Sequence, residues 1–241
     1  MSHRRWRRGS AVVMLPAVAM ALAGLAGCAN SGGQASGTAT AEAGTVQQQG
    51  PLTAAMLRGA LLTKVNGQKA TAAPTAGAYG TLPDVKAAQQ EARADGNQPK
   101  ACVRAGLSEL ADASLTKAPA SSVTFKVGQN AVSETLIAPT QTAATTLLAT
   151  TLPKECDRYT VTVGGKAYDY SATEATVGGI GQQARALSVT IKGQPADTIW
   201  SVLYQGDGFV GALTVVGPNA SELVVRELGL QAYGFAAKVL S

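Results

Sequence analysis

The chain has 241 residues and a formal charge of +5, from 20 Lys and Arg, 15 Asp and Glu and one neutral His. Arg4, Arg5, Arg7 and Arg8 supply most of this excess, so the rest of the chain is close to neutral and nucleic-acid binding is not supported. The only histidine, His3, lies in the same segment. A chain without that segment has no imidazole for a catalytic triad or a metal cage, and we expect no metal and no cofactor.

A basic segment followed by an apolar one predicts a removable lipoprotein signal peptide over residues 1–27. The apolar stretch from Ala11 to Leu25 has about 15 residues, too few to cross a hydrocarbon core of about 30 Å comfortably. The residues Leu25-Ala26-Gly27-Cys28 match a bacterial lipobox, in which small residues precede the cysteine that becomes acylated. We therefore expect acyl chains on Cys28 to anchor the protein in the lipid bilayer, at the extracytoplasmic face of the cell membrane.

Residues 28–50 consist mainly of Ala, Ser, Gly, Thr and Gln, with a single charge at Glu42. Such a segment cannot bury enough apolar surface to offset its ordering entropy, so it is predicted to be a flexible tether. Residues 51–241 are predicted to form a single domain. Within it, the low-complexity stretch from Ala70 to Gly80 is predicted to be a loop.

Once Cys28 is acylated, Cys102 and Cys156 remain. An even pair outside the cytoplasm favours a disulfide, which would close a loop of about 54 residues and stabilise the fold by about 4 kcal/mol in the chain-entropy model. Two free thiols are the alternative. Only Lys154 and Arg158 lie near Cys156 to activate a thiolate.

Helical spacing of apolar residues predicts a first helix over residues 51–61, with Pro51 in its first turn. Weaker helical patterns follow over residues 84–94 and 103–111. From Ser122 the apolar residues alternate, which predicts strands over residues 123–127 and 132–137. A helix over residues 140–152 comes next, and Pro153 ends it.

Two glycines, Gly164 and Gly165, separate Tyr159–Val163 from Lys166–Tyr170 and predict a tight β-hairpin. Further strands are predicted over residues 185–192, 198–204 and 209–216, followed by a long helix from Ala220 to Leu240 with Asn219 as its N-cap. This order predicts an α+β fold, with an antiparallel sheet of about six strands and helices packed on one face, including the long C-terminal helix.

Trp200 and Tyr204 lie on one face of a predicted strand, and Ile199 and Leu203 lie on the other, so both faces are apolar. Either the N-terminal helices and the Cys102 segment cover the second face, or that face forms a groove for a ligand. In the second case Trp200 and Tyr204 are candidate ligand-binding residues, because indole and phenol combine a large apolar area with a polar group.

Tyr168 and Tyr170 share one face of the predicted hairpin. Core packing or a position at the sheet edge accounts for them, and an aromatic wall against a ligand is the functional alternative. No pair of carboxylates, no nucleophile with a base and no metal constellation is recognisable in the chain. We therefore expect a protein that is not an enzyme.

Three stretches resemble the PknH-like extracellular sensor domain of actinobacterial receptor kinases and lipoproteins. They are Ala131–Pro139, the helix over residues 140–152, and the segment from Lys154 through Tyr159–Val163 to Ser171. The resemblance covers residues 51–241 and makes Cys102 the earlier half-cystine of the first family bridge. It implies an antiparallel sheet with helices and a cleft for an unknown ligand. The chain departs from the family pattern because residues 198–216 contain no cysteine for a second bridge.

The leading hypothesis is a non-enzymatic ligand-binding or sensing module of the cell envelope. Its partners would be the bilayer, through acylated Cys28, and an unknown small-molecule, lipid or protein ligand. A carrier of lipid or glycolipid is the first alternative and requires a large apolar cavity between sheet and helices. An envelope hydrolase is the weakest alternative, since histidine and a metal site are lacking.

Overall fold

The computed structural model describes residues 50–87, 102, 114–163, 166–192 and 198–241. All of them belong to one unit, which spans Gln47–Ser241. The predicted signal peptide, the predicted tether as far as residue 49 and the predicted helix over residues 103–111 lie outside the described residues. Of the helix predicted over residues 84–94, the part from 84 to 87 is described and is helical.

Helix α1, Ala54–Gly59, begins later than the sequence predicted, because Thr53 caps it and Pro51 stays outside. The Thr53 hydroxyl oxygen accepts a hydrogen bond from Met56 N at 3.3 Å, satisfying one of the free N–H groups at the helix start. A two-stranded ribbon follows, with β1 at Lys64–Val65 and β2 at Gln68–Lys69. Both residues of its turn, Asn66 and Gly67, have positive φ, as a tight hairpin requires.

In the part of the chain that the structure describes, eight strands form one fully antiparallel sheet, in the order β3-β4-β5-β10-β9-β8-β7-β6. The strands are β3 Thr75–Ala78, β4 Pro119–Val127, β5 Asn130–Ile137, β6 Tyr159–Val163, β7 Lys166–Ala175, β8 Gln183–Ile191, β9 Ile199–Gln205 and β10 Val210–Val216.

The sheet is larger than the predicted six or so strands. The seven predicted strand segments all correspond to strands, and the eighth strand, β3, falls in the stretch that was expected to be a loop. Thr75 of β3 lies opposite Ser122 of β4, and their hydroxyl groups are 2.9 Å apart. The predicted hairpin is confirmed, with Tyr159 opposite Tyr170 and Val163 opposite Lys166. Its two glycines lie outside the described residues.

Helices cover both faces of the sheet, and the prediction that they pack on one face is wrong. Helix α2, Gln141–Ala149, packs on β8 and β9 from one side, while α3, Glu222–Leu240, packs on β9 and β10 from the other, together with α1. We call these sides the α2 face and the α3 face. The central strands carry apolar side chains on both faces, and each face requires its own cover.

The long C-terminal helix is confirmed, but its cap is Ser221 rather than Asn219. The Ser221 hydroxyl oxygen accepts a hydrogen bond from Val224 N at 3.3 Å. The backbone N–H of Asn219 instead donates to Asn130 Oδ1 at 3.2 Å. Asn219 therefore fastens the turn before α3 to the start of β5.

Candidate functional site

The β6–β7 hairpin carries three tyrosines on the α2 face of the sheet. The rings of Tyr159 and Tyr170 are stacked, with centroids 5.2 Å apart and planes 12° from parallel. Tyr168 follows on the same face, with Lys166 Nζ 5.0 Å from its ring centroid. All three tyrosines are half-buried. We call Tyr159, Tyr168 and Tyr170 the tyrosine surface.

The opposite face of this hairpin is polar and exposed. Asp169, Ser171 and Thr173 project from it, and Thr160 Oγ1 donates a hydrogen bond to Asp169 Oδ1 at 2.9 Å. Cross-strand aromatic pairs contribute roughly 0.2–1 kcal/mol each, so part of the role of Tyr159 and Tyr170 is to hold the hairpin together. The tyrosine surface thus lies on the side of the hairpin that combines large rings with a nearby cation.

Trp200 and Tyr204 lie on the α3 face, among the residues that pack under α3. Tyr204 is fully buried, and its ring meets Phe209 and Tyr233 edge-on at centroid distances of 6.5 Å and 6.0 Å. The ring also covers Gly211, where a Cβ atom would overlap it. Trp200 is half-buried and packs against the same core.

The four aromatic residues predicted to bind a ligand therefore do not form one site. The continuous registers across β7, β8 and β9 place Tyr170 on the same face as Leu203, and Trp200 and Tyr204 on the other. Tyr204 belongs to the core and has no exposed surface to offer a ligand. Ligand binding at either group of residues stays a prediction.

A buried acid that the sequence analysis missed lies next to Tyr204. Glu134 on β5 is fully buried on the α3 face, between Val123 of β4 and Leu213 of β10. Its Oε2 atom accepts a hydrogen bond from Leu62 N at 2.8 Å. A signal was present in the sequence, since Glu134 interrupts an otherwise apolar strand face in which every second residue points the same way.

Burial raises the pKa of Glu134 to about 7, although the Leu62 N–H group and the neighbouring Tyr204 hydroxyl lower it. Burial, and next the Glu134 carboxyl, hold the pKa of Tyr204 well above its ordinary value. The two side chains influence each other without a well-aligned hydrogen bond. Glu134 Oε1 and Tyr204 Oη are both buried, and neither has a hydrogen-bond partner among the described residues.

An ion pair between two strands of the sheet also makes hydrogen bonds to α2 and to the chain just after it. Arg185 Nε on β8 lies 3.3 Å from Glu174 Oε1 on β7, and the Arg185 side chain is buried. The second oxygen, Glu174 Oε2, accepts a hydrogen bond from Leu152 N at 2.9 Å, and Arg185 also reaches the carbonyl oxygen of Leu147 at 3.5 Å. These contacts give Arg185 and Glu174 a structural role.

The predicted bond between Cys102 and Cys156 is confirmed, and the alternative of two free thiols is thereby excluded. Cys156 is fully buried in the short connection between α2 and β6. Across the described ranges, no group of His, Cys, Asp and Glu residues could hold a metal ion, and no helix is long and apolar enough to cross a membrane. Cys28 lies outside the described residues.

No protein-family model matches the chain, and no curated protein matches it either. Among solved structures, it is similar to the extracellular domain of PknH from Mycobacterium tuberculosis, with a TM-score of 0.51 and 13% identity over 79% of this chain and 98% of that one. An uncharacterized protein from Mycobacterium smegmatis matches with a TM-score of 0.37 and 13% identity, over 68% of this chain and 86% of that one. The first similarity shows that the chain has a PknH-like fold.

Proposed function

We propose that the chain is a lipoprotein whose folded domain is a non-enzymatic ligand-binding or sensing module on the extracytoplasmic face of the cell membrane. The observation that carries this proposal is the fold shared with the extracellular domain of PknH, over nearly the whole length of that domain. The lipobox at Cys28 is the proposed anchor, through acyl chains in the bilayer. Membership of the PknH-like sensor family is part of the proposal.

The disulfide supports an extracytoplasmic location independently of the fold. Cys102 and Cys156 are separated by 54 positions and bonded, and structural disulfides form mainly in secreted or surface proteins.

We place the ligand contact at the tyrosine surface. Phenol rings combine a large apolar area with a polar hydroxyl group, and Lys166 adds a positive charge beside Tyr168. The ring pair lies on an edge of the sheet, because β6 is the last strand in its order. Trp200 and Tyr204 support the core and are not part of this proposed contact.

The anchor is tested by changing Cys28 to Ser in cells and separating membranes from the soluble fraction. We expect the variant to be released from membranes or left unprocessed, because Ser cannot form the thioether to diacylglycerol. Cys156→Ser is a matched control that keeps the lipobox and should remain in the membrane fraction. A Cys28→Ser protein that fractionates as mature, acylated membrane protein contradicts the anchor.

The binding role is tested by mass spectrometry of molecules that co-purify with the full chain from its native envelope. We expect Tyr168→Ala together with Tyr170→Ala to lose such a molecule. The control is Ser171→Ala together with Thr173→Ala, which alters the opposite, exposed face of the same strand. Retention by the tyrosine variant contradicts the tyrosine surface, and acyl chains in the extracted molecule favour the lipid carrier over the sensor.

A further inference from the structure

Glu134 stands out because its carboxyl group sits in the core with no cation beside it among the described residues. It is fully buried, and this burial raises its pKa, while the Leu62 backbone N–H group and the Tyr204 hydroxyl lower it. Acidic side chains are almost never fully buried unless they are paired with a cation. An uncharged carboxyl is the form that such a position accommodates best.

The group that Glu134 holds is the chain immediately after α1. Leu62 is 72 positions away in sequence, and its N–H donates to Glu134 Oε2 at 2.8 Å. Leu61 and Val65 on either side are buried against the same face of the sheet. We call residues 60–65 the α1–β1 segment. The hydrogen bond to Glu134 is a polar contact between the α1–β1 segment and β5, and Leu61 and Val65 add apolar packing of the segment against the sheet.

The described elements that pack around Glu134 bring no second charge to this position. Tyr204 of β9 is the neighbouring titratable group, and Tyr233 of α3 contacts the Tyr204 ring. The charged side chains of the packed elements are exposed to solvent. They are Arg58 of α1, Lys64 of β1, Lys69 of β2, Lys126 of β4, and Glu222, Arg226, Glu227 and Lys238 of α3.

We propose that Glu134 is a proton-binding site that controls how firmly the α1–β1 segment is held on the sheet. With its proton, the carboxyl group is neutral and accepts the Leu62 hydrogen bond inside the core. Without the proton, a negative charge is left in an apolar layer with only the Leu62 N–H group and the neighbouring Tyr204 hydroxyl to stabilise it, and the charge is solvated when the segment moves away and admits water. The proton is the ligand, and the α1–β1 segment is the part that responds.

The direction of the effect follows from linkage. Burial raises the pKa of Glu134 to about 7 from an ordinary value of 4.5, so the closed form binds the proton more tightly than the open form. The closed segment is therefore most stable at acid pH. Its stability falls as the pH rises from about 4.5 and becomes constant above about 7, where both forms have lost the proton.

The test is hydrogen exchange of the full chain, read by mass spectrometry between pH 5 and pH 8 and corrected with an unstructured peptide of the same sequence. The protection of residues 57–65 should fall by about tenfold for each pH unit up to about 7 and then level off. A peptide from residues 170–175 of β7 serves as an internal reference, because its opening does not expose Glu134. Protection of residues 57–65 that does not change with pH overturns the proposal.

Glu134→Gln removes the proton equilibrium but keeps a carbonyl oxygen for Leu62 N, and its protection should be independent of pH. Glu227→Gln makes the same change on the exposed side of α3 and should behave like the wild type. Equal pH dependence in Glu134→Gln and the wild type overturns the proposal. If Glu134→Gln does not fold, carbon NMR of the glutamate carboxyl groups in the wild type is the deciding measurement. One carboxyl group should titrate near pH 7. A spectrum in which no carboxyl group titrates near pH 7 overturns the proposal.

Discussion

The centre of the sheet and its β6–β7 hairpin are built from similar alternating sequences but end in different environments. Strands β5, β10 and β9 have helices or packed loops on both faces, so Leu136, Leu213 and Tyr204 are fully buried. The hairpin has one polar, exposed face and one face of half-buried tyrosines. The difference shows that the role of an aromatic residue on a strand can be judged only when the position of that strand in the sheet is known.

Substitutions in the two regions should have different effects. A change at the centre removes packing on every side and should act on folding, whereas a change on the tyrosine surface leaves the core intact and should act on binding.

Removing the disulfide should have the largest effect, because Cys156 fixes the chain just before it enters the hairpin. Replacing Cys102 and Cys156 by Ser should lower the free energy of unfolding by about 4 kcal/mol in the chain-entropy model. Urea denaturation of the purified domain measures this change. A loss below about 1 kcal/mol would mean that the bridge adds little to the packing that already holds the hairpin region.

Tyr204→Ala should lower the free energy of unfolding by about 3 kcal/mol, because it leaves a cavity under α3. Gly211→Ala provides a second probe of the same contact, since the added methyl group would occupy the space of the Tyr204 ring. Gly211→Ala should be much less harmful in the Tyr204→Ala background than in the wild type. Additive losses in denaturation experiments would contradict the packing of Tyr204 over Gly211.

Global stability should depend on pH through the centre of the sheet rather than through the hairpin. Because the pKa of Glu134 is raised from 4.5 to about 7, unfolding should become easier by about 3 kcal/mol as the pH rises across that interval. Denaturation curves at pH 5 and pH 7.5 measure the difference. Glu134→Gln should remove most of it, and an unchanged difference in that variant would assign the effect to other groups.

Tyr170→Ala should have the smallest effect on stability, a loss of about 1 kcal/mol from its stacking on Tyr159. Ser171→Ala on the opposite face is the matched control and should change stability still less. Thermal unfolding compares the two variants. If Tyr170→Ala proves as damaging as Tyr204→Ala, the tyrosine surface is part of the core and the contrast between the two regions is lost.

Much of the fold could be predicted from the sequence because its signals are local. The alternation of apolar and polar residues predicted the longer strands. The two glycines between Tyr159–Val163 and Lys166–Tyr170 predicted the hairpin. Strand β3 was missed because Thr75–Ala78 has no alternation of apolar and polar residues, and its pairing depends on β4, more than 40 positions later. Short edge strands of this kind are defined by their neighbours rather than by their own residues.

The site was harder to predict than the fold, because face assignments require the packing of helices. The sequence placed Trp200 and Tyr204 correctly on one face of their strand, but it could not show that α3 covers this face while α2 covers the other. Glu134 was overlooked because a charged residue in a strand is usually solvated. Only the position of Leu62, far away in sequence, shows that this carboxyl is enclosed.

The order of the strands also bears on how the sheet is completed. Strands β3 to β5 pair as sequential neighbours, as do β6 to β10, and among the described strands only the pairing of β5 with β10 joins the two groups. That pairing links residues 131–137 to residues 210–216, and contacts so far apart in sequence are expected to form late in folding. Until β10 arrives, one edge of β5 is open, and in that hydrated state Glu134 is ionised at neutral pH. A charge on an unpaired apolar strand disfavours pairing with another chain. We therefore expect Glu134, which is neutral in the finished core, to reduce aggregation of this intermediate.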